Sequence, residues 1–253
     1  MSKYRRHLPQ LDDQLFLTDG GLETTLVFHD GIDLPYFAAF DLLRNEAGSA
    51  TLRRYYDRYV AIAHAWDVGV VLEAPTWRAN PDWGARLGYD ADTLTDVNRR
   101  AIGLMLEIRA AAEDPTAPMV ISGNLGPRGD GYRVEARMTA AEARSYHARQ
   151  IETFAQTDAD LVSAFTINYV EEAIGIVQAA RAAAMPVAIS FTVETDGYLP
   201  SGEGLGEAID RTDAETGGYA AYYMINCAHP THFLHVLDAS GNWRERIRGL
   251  RAN

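Results

Sequence analysis

The chain has 253 residues, and 35 Asp and Glu against 23 Lys and Arg give it a formal net charge of −12. This acidity argues against nucleic-acid and anionic-membrane partners, which require basic patches, and is typical of a protein that binds a small molecule. One cysteine excludes an intramolecular disulfide, and no apolar run approaches the roughly 20 residues that cross a bilayer, so we expect a cytoplasmic protein.

Short apolar runs alternate with longer amphipathic segments along the whole chain. Runs of a few apolar and β-branched residues predict buried strands, whereas apolar residues at helical spacing predict helices. The predicted strands are 15–18, 68–72, 119–122, 160–165, 185–191, 220–225 and 246–250. The predicted helices are 50–65, 95–112, 139–157, 171–184 and 231–239. This alternation predicts an α/β fold with parallel strands joined by right-handed crossovers.

The number of strands bears on the fold. A (β/α)8 TIM barrel closes with an eighth strand, but we find seven, and the seventh ends within a few residues of Asn253. Either a strand has been missed, or the sheet is open, or the chain continues. We favour one incomplete barrel domain over residues 1–253, truncated at its C-terminus. An unclosed sheet also predicts self-association into a homo-oligomer.

The first strand is followed by Asp19-Gly20-Gly21. In a parallel barrel the active site gathers at the carboxyl ends of the strands. Asp19 would hold an ammonium or hydroxyl group there, and the glycines would let backbone N–H groups approach a ligand. The alternative is a tight turn that needs glycine's conformational freedom, with the aspartate capping a helix. The spacing leaves both interpretations open.

The sixth strand ends in Asn226-Cys227, which contains the chain's single cysteine. A lone cysteine is often a small buried hydrophobe, and this alternative stays open. A local metal site of Cys227, His229 and His232 is a second alternative. It is weakened by Pro230, which suits the first turn of a helix, and by the lack of a C-x-x-C-like spacing.

The remaining strand ends carry weaker signals. Trp77 would either wall a pocket or pack against a neighbouring loop. The glycines of 123–132 lack the spacing of a phosphate-binding loop. Glu194 and Glu203 would be acid/base groups or, more simply, solvated carboxylates in a chain with 35 acidic residues.

Several of these segments follow one another in a specific order at the strand ends. They are Asp19-Gly20-Gly21 with Leu26, Gly123-Asn124-Leu125-Gly126-Pro127, Glu171-Glu172-Ala173, Ser190-Phe191-Thr192 with Ser201-Gly202-Glu203, and Asn226-Cys227. Together they resemble the homocysteine S-methyltransferase family, from about residue 15 to the end of the chain.

The resemblance implies a (β/α)8 barrel that binds Zn²⁺ through three cysteine thiolates. Cys227 would be one ligand, and the other two belong to a Gly-Gly-Cys-Cys motif after strand eight. Zinc would deprotonate a thiol such as homocysteine, whose sulfur then attacks the methyl group of a donor and gives methionine. Family donors include S-methylmethionine, S-adenosylmethionine and betaine. Asp19 would bind the substrate's ammonium group. The implied substrate-binding residues are Asp19, Gly20, Gly21, Thr166, Thr192 and Asn226.

The chain departs from the family pattern in three places. The Gly-Gly-Cys-Cys motif is absent, so the 253 residues cannot assemble three thiolates. Phe165 stands where the family usually has a glutamate that contacts the substrate's amino group, and Ala74 interrupts an expected Glu-Thr-Asn-Thr. A non-catalytic barrel homologue that binds a small ligand or partner without metal is therefore the alternative. A lysine-based aldolase is excluded, because the only lysine is Lys3.

Overall fold

The computed structural model describes residues 1–134 and 137–252 and divides into two compact units. Unit 1 comprises Met1–Leu125 and Thr153–Leu161, and unit 2 comprises Gly126–Glu152 and Val162–Asn253. The expectation of a single domain stays a prediction. Among the described residues, no helix combines the length and apolar character that crossing a membrane requires.

Unit 1 contains three parallel strands that pair in sequence order. Strand β1 pairs with β2, and β2 pairs with β3, with Val70 opposite Met119. The β2 and β3 residues are buried along their whole length, as expected for parallel strands covered on both faces. The strands are β1 (Phe16–Thr18), β2 (Gly69–Glu73) and β3 (Met119–Leu125). The helices are α1 (Leu22–Thr24), α2 (Glu46–Trp66), α3 (Pro81–Arg86) and α4 (Ala91–Ala112).

Unit 2 continues the same pattern with four parallel strands. Strand β5 lies between β4 and β6, and β6 pairs with β7. The β4–β5 register shifts between Ala164 and Ile167, which marks an irregularity at the carboxyl end of β4. The strands are β4 (Leu161–Ile167), β5 (Val187–Thr192), β6 (Tyr222–Asn226) and β7 (Ile247–Arg251). The helices are α5 (Ala140–Ala155), α6 (Val170–Ala182), α7 (Leu205–Thr216) and α8 (Pro230–Leu237).

Seven parallel strands alternating with helices make this an incomplete (β/α)8 barrel fold in the described part of the chain, which confirms the predicted fold class. All seven predicted strands are present, with ends that agree to within three residues. The five predicted helices are also present. The set was incomplete, however, because the short helices α1 and α3 and the longer helix α7 were not predicted. The buried face of α7 offers little large apolar surface, since alanine and threonine fill much of it.

A buried ion pair anchors the chain ahead of β4 within unit 1. The Asp160 side chain is fully buried, and its Oδ2 accepts hydrogen bonds from Arg109 Nη1 at 2.6 Å and the Ile121 backbone N–H at 2.9 Å. Its Oδ1 accepts the Tyr4 N–H at 2.7 Å. Such a pair stabilises a fold only while both partners are present, because a lone buried charge is costly.

Candidate functional site

Asn226 is the hub of a hydrogen-bonded cluster at the carboxyl ends of the unit 2 strands. Its Oδ1 accepts hydrogen bonds from Ser190 Oγ at 2.6 Å and from the Thr166 backbone N–H at 3.1 Å. Its Nδ2 lies within donor distance of Thr166 Oγ1 at 3.2 Å and of Cys227 Sγ at 3.1 Å. We call Asn226, Cys227, Thr166 and Ser190 the Asn226 cluster. The amide therefore fixes the direction of the cysteine sulfur.

Two members of the Asn226 cluster have left-handed backbone conformations. Thr166 has φ of 63° and Cys227 has φ of 55°. This region is unfavourable for side chains with a Cβ, and for β-branched threonine above all. The Asn226 amide contacts both the N–H and the Oγ1 of Thr166, and the Cys227 N–H donates to the Arg251 carbonyl at 3.0 Å. These bonds hold both strained residues in place.

Cys227 differs from an inert core cysteine in its surroundings. Its side chain is partly exposed and its sulfur accepts a hydrogen bond. A local metal site with its neighbouring histidines is not supported, because no group of three His, Cys, Asp or Glu residues within the described ranges could hold a metal. His229 instead caps α8, and its Nδ1 accepts a hydrogen bond from the Thr231 N–H at 3.3 Å. Pro230 lies in the first turn of that helix, as predicted from the sequence.

Thr192 lies beside the Asn226 cluster. It is the register partner of Asn226 across β5 and β6 and is buried. The two carboxylates that follow β5 differ from each other. Glu203 accepts hydrogen bonds from Arg211 at 2.7 Å and Ser201 Oγ at 3.0 Å, so it belongs to an ion-paired surface network. Glu194 is exposed and lines an open cleft of about 530 Å³.

Asp19 is buried at the carboxyl end of β1 in unit 1, where two tyrosines of α2 organise it. Tyr55 donates from its hydroxyl to Asp19 Oδ2 at 2.9 Å. The same hydroxyl accepts the Gly21 N–H at 3.3 Å, and the Tyr59 hydroxyl accepts the Gly20 N–H at 2.9 Å. The pKa of the Tyr55 hydroxyl is raised far above its ordinary value, mainly because the hydroxyl is buried and secondly because Asp19 is negatively charged. Tyr55 therefore remains a proton donor to the carboxylate.

This arrangement bears on the two interpretations of the Asp19-Gly20-Gly21 segment. Asp19 does not cap α1, because the N-cap is Gly21 and no side chain makes a capping bond. Glycine suits position 20 because the backbone lies close to Tyr59, and a Cβ there would lie 3.0 Å from the Tyr59 hydroxyl oxygen. The capping interpretation is therefore wrong for Asp19, and its role as a ligand-binding carboxylate stays a prediction.

The glycine-rich segment after β3 is fixed by a buried carboxylate in unit 2. Glu172 Oε1 accepts the Arg128 backbone N–H at 2.8 Å and lies 2.9 Å from His147 Nε2. Asn168 Nδ2 donates to the Asp130 carbonyl at 2.9 Å. These hydrogen bonds hold the segment in place and account for Glu172 in the first turn of α6.

Trp77 packs against the guanidinium of its neighbour. The Arg78 guanidinium carbon lies 4.0 Å from the centroid of the Trp77 ring and 3.9 Å from that of Trp83, within unit 1. The contact is with the adjacent residue of the same segment, so a pocket wall and packing against a neighbouring loop both stay predictions for Trp77.

Several organising residues escaped the sequence analysis. Tyr55 and Tyr59 carry a weak signal, because their i, i+4 spacing puts both hydroxyls on one face of α2. Ser190 was seen only as part of a motif. Arg251 left no signal, because its position depends on the β6–β7 register.

The chain is similar in sequence to one known family over nearly its whole length. The profile of the homocysteine S-methyltransferase family matches residues 16–252. A comparison with curated proteins found no match.

Solved structures of the homocysteine methyltransferase MmuM from Escherichia coli are similar in fold. Its metallated form is 19% identical with a TM-score of 0.73, covering 97% of this chain and 93% of that one. Its oxidized form is 20% identical with a TM-score of 0.74, covering 98% and 94%. Its apo form is 18% identical with a TM-score of 0.66, covering 97% and 92%. At these identities the likeness shows the fold alone.

Proposed function

Because the chain belongs to the homocysteine S-methyltransferase family, whose profile matches residues 16–252, we propose that it is a thiol S-methyltransferase. The substrates are a small-molecule thiol such as homocysteine and an activated methyl donor. The single observation that carries the proposal beyond the family match is the Asn226 cluster, in which an amide N–H holds the only cysteine sulfur at 3.1 Å.

The reaction requires that the thiol be deprotonated and that its sulfur be aligned with the methyl carbon. The thiol releases its proton to solvent, its sulfur forms a bond to the methyl carbon, and the bond from that carbon to the donor breaks with its electrons staying on the donor. Binding energy must hold sulfur and methyl carbon in line, because orientation supplies much of the acceleration. We assign substrate binding in unit 2 to Thr166, Thr192 and Asn226, whose positions the cluster fixes.

In unit 1 we assign substrate binding to Asp19, Gly20 and Gly21. Asp19 accepts a hydrogen bond from the Tyr55 hydroxyl, and the negative charge of its carboxylate suits an ammonium group. The backbone N–H groups of both glycines donate to tyrosine hydroxyls and not toward a ligand, so the proposed role of the glycines is to let the backbone lie close to the substrate beside Asp19.

Zn²⁺ is part of the proposal through Cys227, a soft thiolate ligand. When bound, zinc would supply a Lewis acid that keeps the substrate sulfur deprotonated. The residues present do not make up its site by themselves. Cys227 is the single cysteine of the sequence, and no three-ligand group exists in the described part of the chain. The resemblance implies two further cysteines as ligands, and the sequence contains neither.

Elemental analysis of the purified native-length protein tests the zinc proposal, with Cys227→Ser as the matched control. We expect about one zinc ion per chain in the parent protein and background in the variant. The same samples are incubated with homocysteine and deuteromethyl-labelled S-methylmethionine, and labelled methionine is measured by mass spectrometry. Zinc at the variant's level would overturn metal activation. If methylated thiol forms neither from this donor nor from S-adenosylmethionine or betaine tested in the same way, the non-catalytic homologue is the correct interpretation.

A further inference from the structure

Arg251 occupies the carboxyl end of β7, level with the Asn226 cluster. Parallel pairing places it opposite Asn226, which is itself opposite Thr192. Register partners in a sheet point to the same face, so these three side chains share one face at the ends of β5, β6 and β7. The Arg251 carbonyl also accepts the Cys227 N–H at 3.0 Å. The backbone of Arg251, whose side chain is permanently cationic, is therefore hydrogen-bonded to the backbone of Cys227.

Phe165 determines how the guanidinium is presented. The guanidinium carbon lies 4.1 Å from the centroid of the Phe165 ring, and the ring itself is buried at the end of β4. Stacking on an aromatic face leaves the N–H groups pointing outward in the guanidinium plane. Because a guanidinium has five donors in a planar fork, it can serve a protein partner and still bind a carboxylate in a bidentate geometry.

We propose that Arg251, stacked on Phe165, is a specificity-determining residue that binds a carboxylate of the thiol substrate beside Cys227. The inference rests on the proposed thiol methyltransferase function and names its substrate class. The substrate carries a carboxylate on the side of the thiol that faces β7. An amine at that position is excluded, because it would approach a guanidinium with an apolar ring beneath it.

Equilibrium binding of three short thiols to the full chain, measured by isothermal titration calorimetry, tests the proposal. The probes are 3-mercaptopropionate, neutral 2-mercaptoethanol and cationic 2-mercaptoethylamine. Charge-assisted hydrogen bonds predict roughly 10- to 100-fold tighter binding of 3-mercaptopropionate than of 2-mercaptoethanol, and the weakest binding for the amine. Arg251→Met should abolish this preference, so that 3-mercaptopropionate binds no more tightly than 2-mercaptoethanol.

Arg248→Met is the matched control. Arg248 lies on the same strand but is exposed, so its substitution should leave the order of the three affinities intact. If Arg251→Met does not fold, the order of affinities in the parent protein decides alone. Thiols bound without preference for the carboxylate would overturn this inference and leave the proposed function standing. Failure to bind any thiol would overturn both.

Discussion

Substitution of Asn226 by alanine should destabilise the protein more than any other single change in the Asn226 cluster. The side chain satisfies three polar groups that are buried in the fold, namely the Ser190 hydroxyl, the Thr166 N–H and the Thr166 Oγ1. A buried polar group left without a partner costs about 1–3 kcal/mol. Three such groups, counted conservatively because they share one network, give a loss of about 3–6 kcal/mol.

Ser190→Ala is the comparison that makes this prediction sharp. It removes one hydrogen bond but leaves Asn226 Oδ1 with the Thr166 N–H, so we expect a loss of about 1 kcal/mol. Both variants are compared with the parent protein by urea unfolding followed by circular dichroism. If Asn226→Ala lowers the free energy of unfolding no more than Ser190→Ala does, the amide is not the hub and the assignment of its bonds is wrong.

Three further changes probe other parts of the fold. Asp160→Ala should cost about 3–5 kcal/mol in urea unfolding, because it leaves the Arg109 guanidinium buried without its carboxylate; a loss below about 1 kcal/mol would contradict this. Gly175→Ala should lower the free energy of unfolding by about 1–3 kcal/mol, because its Cβ would lie 2.5 Å from a side-chain carbon of α5. Gly103→Ala has open space around it and should raise the free energy of unfolding by about 0.5–1 kcal/mol. Equal melting temperatures of the two variants would refute the packing argument. Burial, then a hydrogen bond, raises the Tyr223 pKa above its ordinary value of 10.0, so the folded state keeps a proton that the unfolded chain releases. Stability should therefore fall as pH rises above about 10, and Tyr223→Phe should reduce that slope by about 1.4 kcal/mol per pH unit, measured by urea unfolding at several alkaline pH values.

The strands could be predicted from the sequence because each one carries a local signal. A buried parallel strand is a continuous apolar run, and β5 and β6 are such runs bounded by polar residues. Helix α7 has no comparable local signal in the sequence. Its buried face includes Ala208 and Thr212, which look the same in sequence whether they lie on a helix or in a loop.

The site was only partly predictable for a different reason. Asn226-Cys227 was found because it follows a strand, and position at a strand end is a local property. The partners of Asn226 come from other strands, so their roles depend on register and on the irregularity at the end of β4. Neither Ser190 as a donor nor Arg251 beside Phe165 could be read from spacing along the chain.

Thr166 and Cys227 have left-handed backbone conformations that glycine adopts more easily, so the presence of their side chains calls for a physical reason. Glycine would adopt the backbone of residues 166 and 227 without strain, whereas a threonine and a cysteine each cost about 1–3 kcal/mol there. At both positions the side chain accepts a hydrogen bond from the same Asn226 amide. The cost is therefore linked to keeping an oxygen and a sulfur atom at fixed distances from one amide, which is the fixed geometry that the proposed thiol-binding site requires.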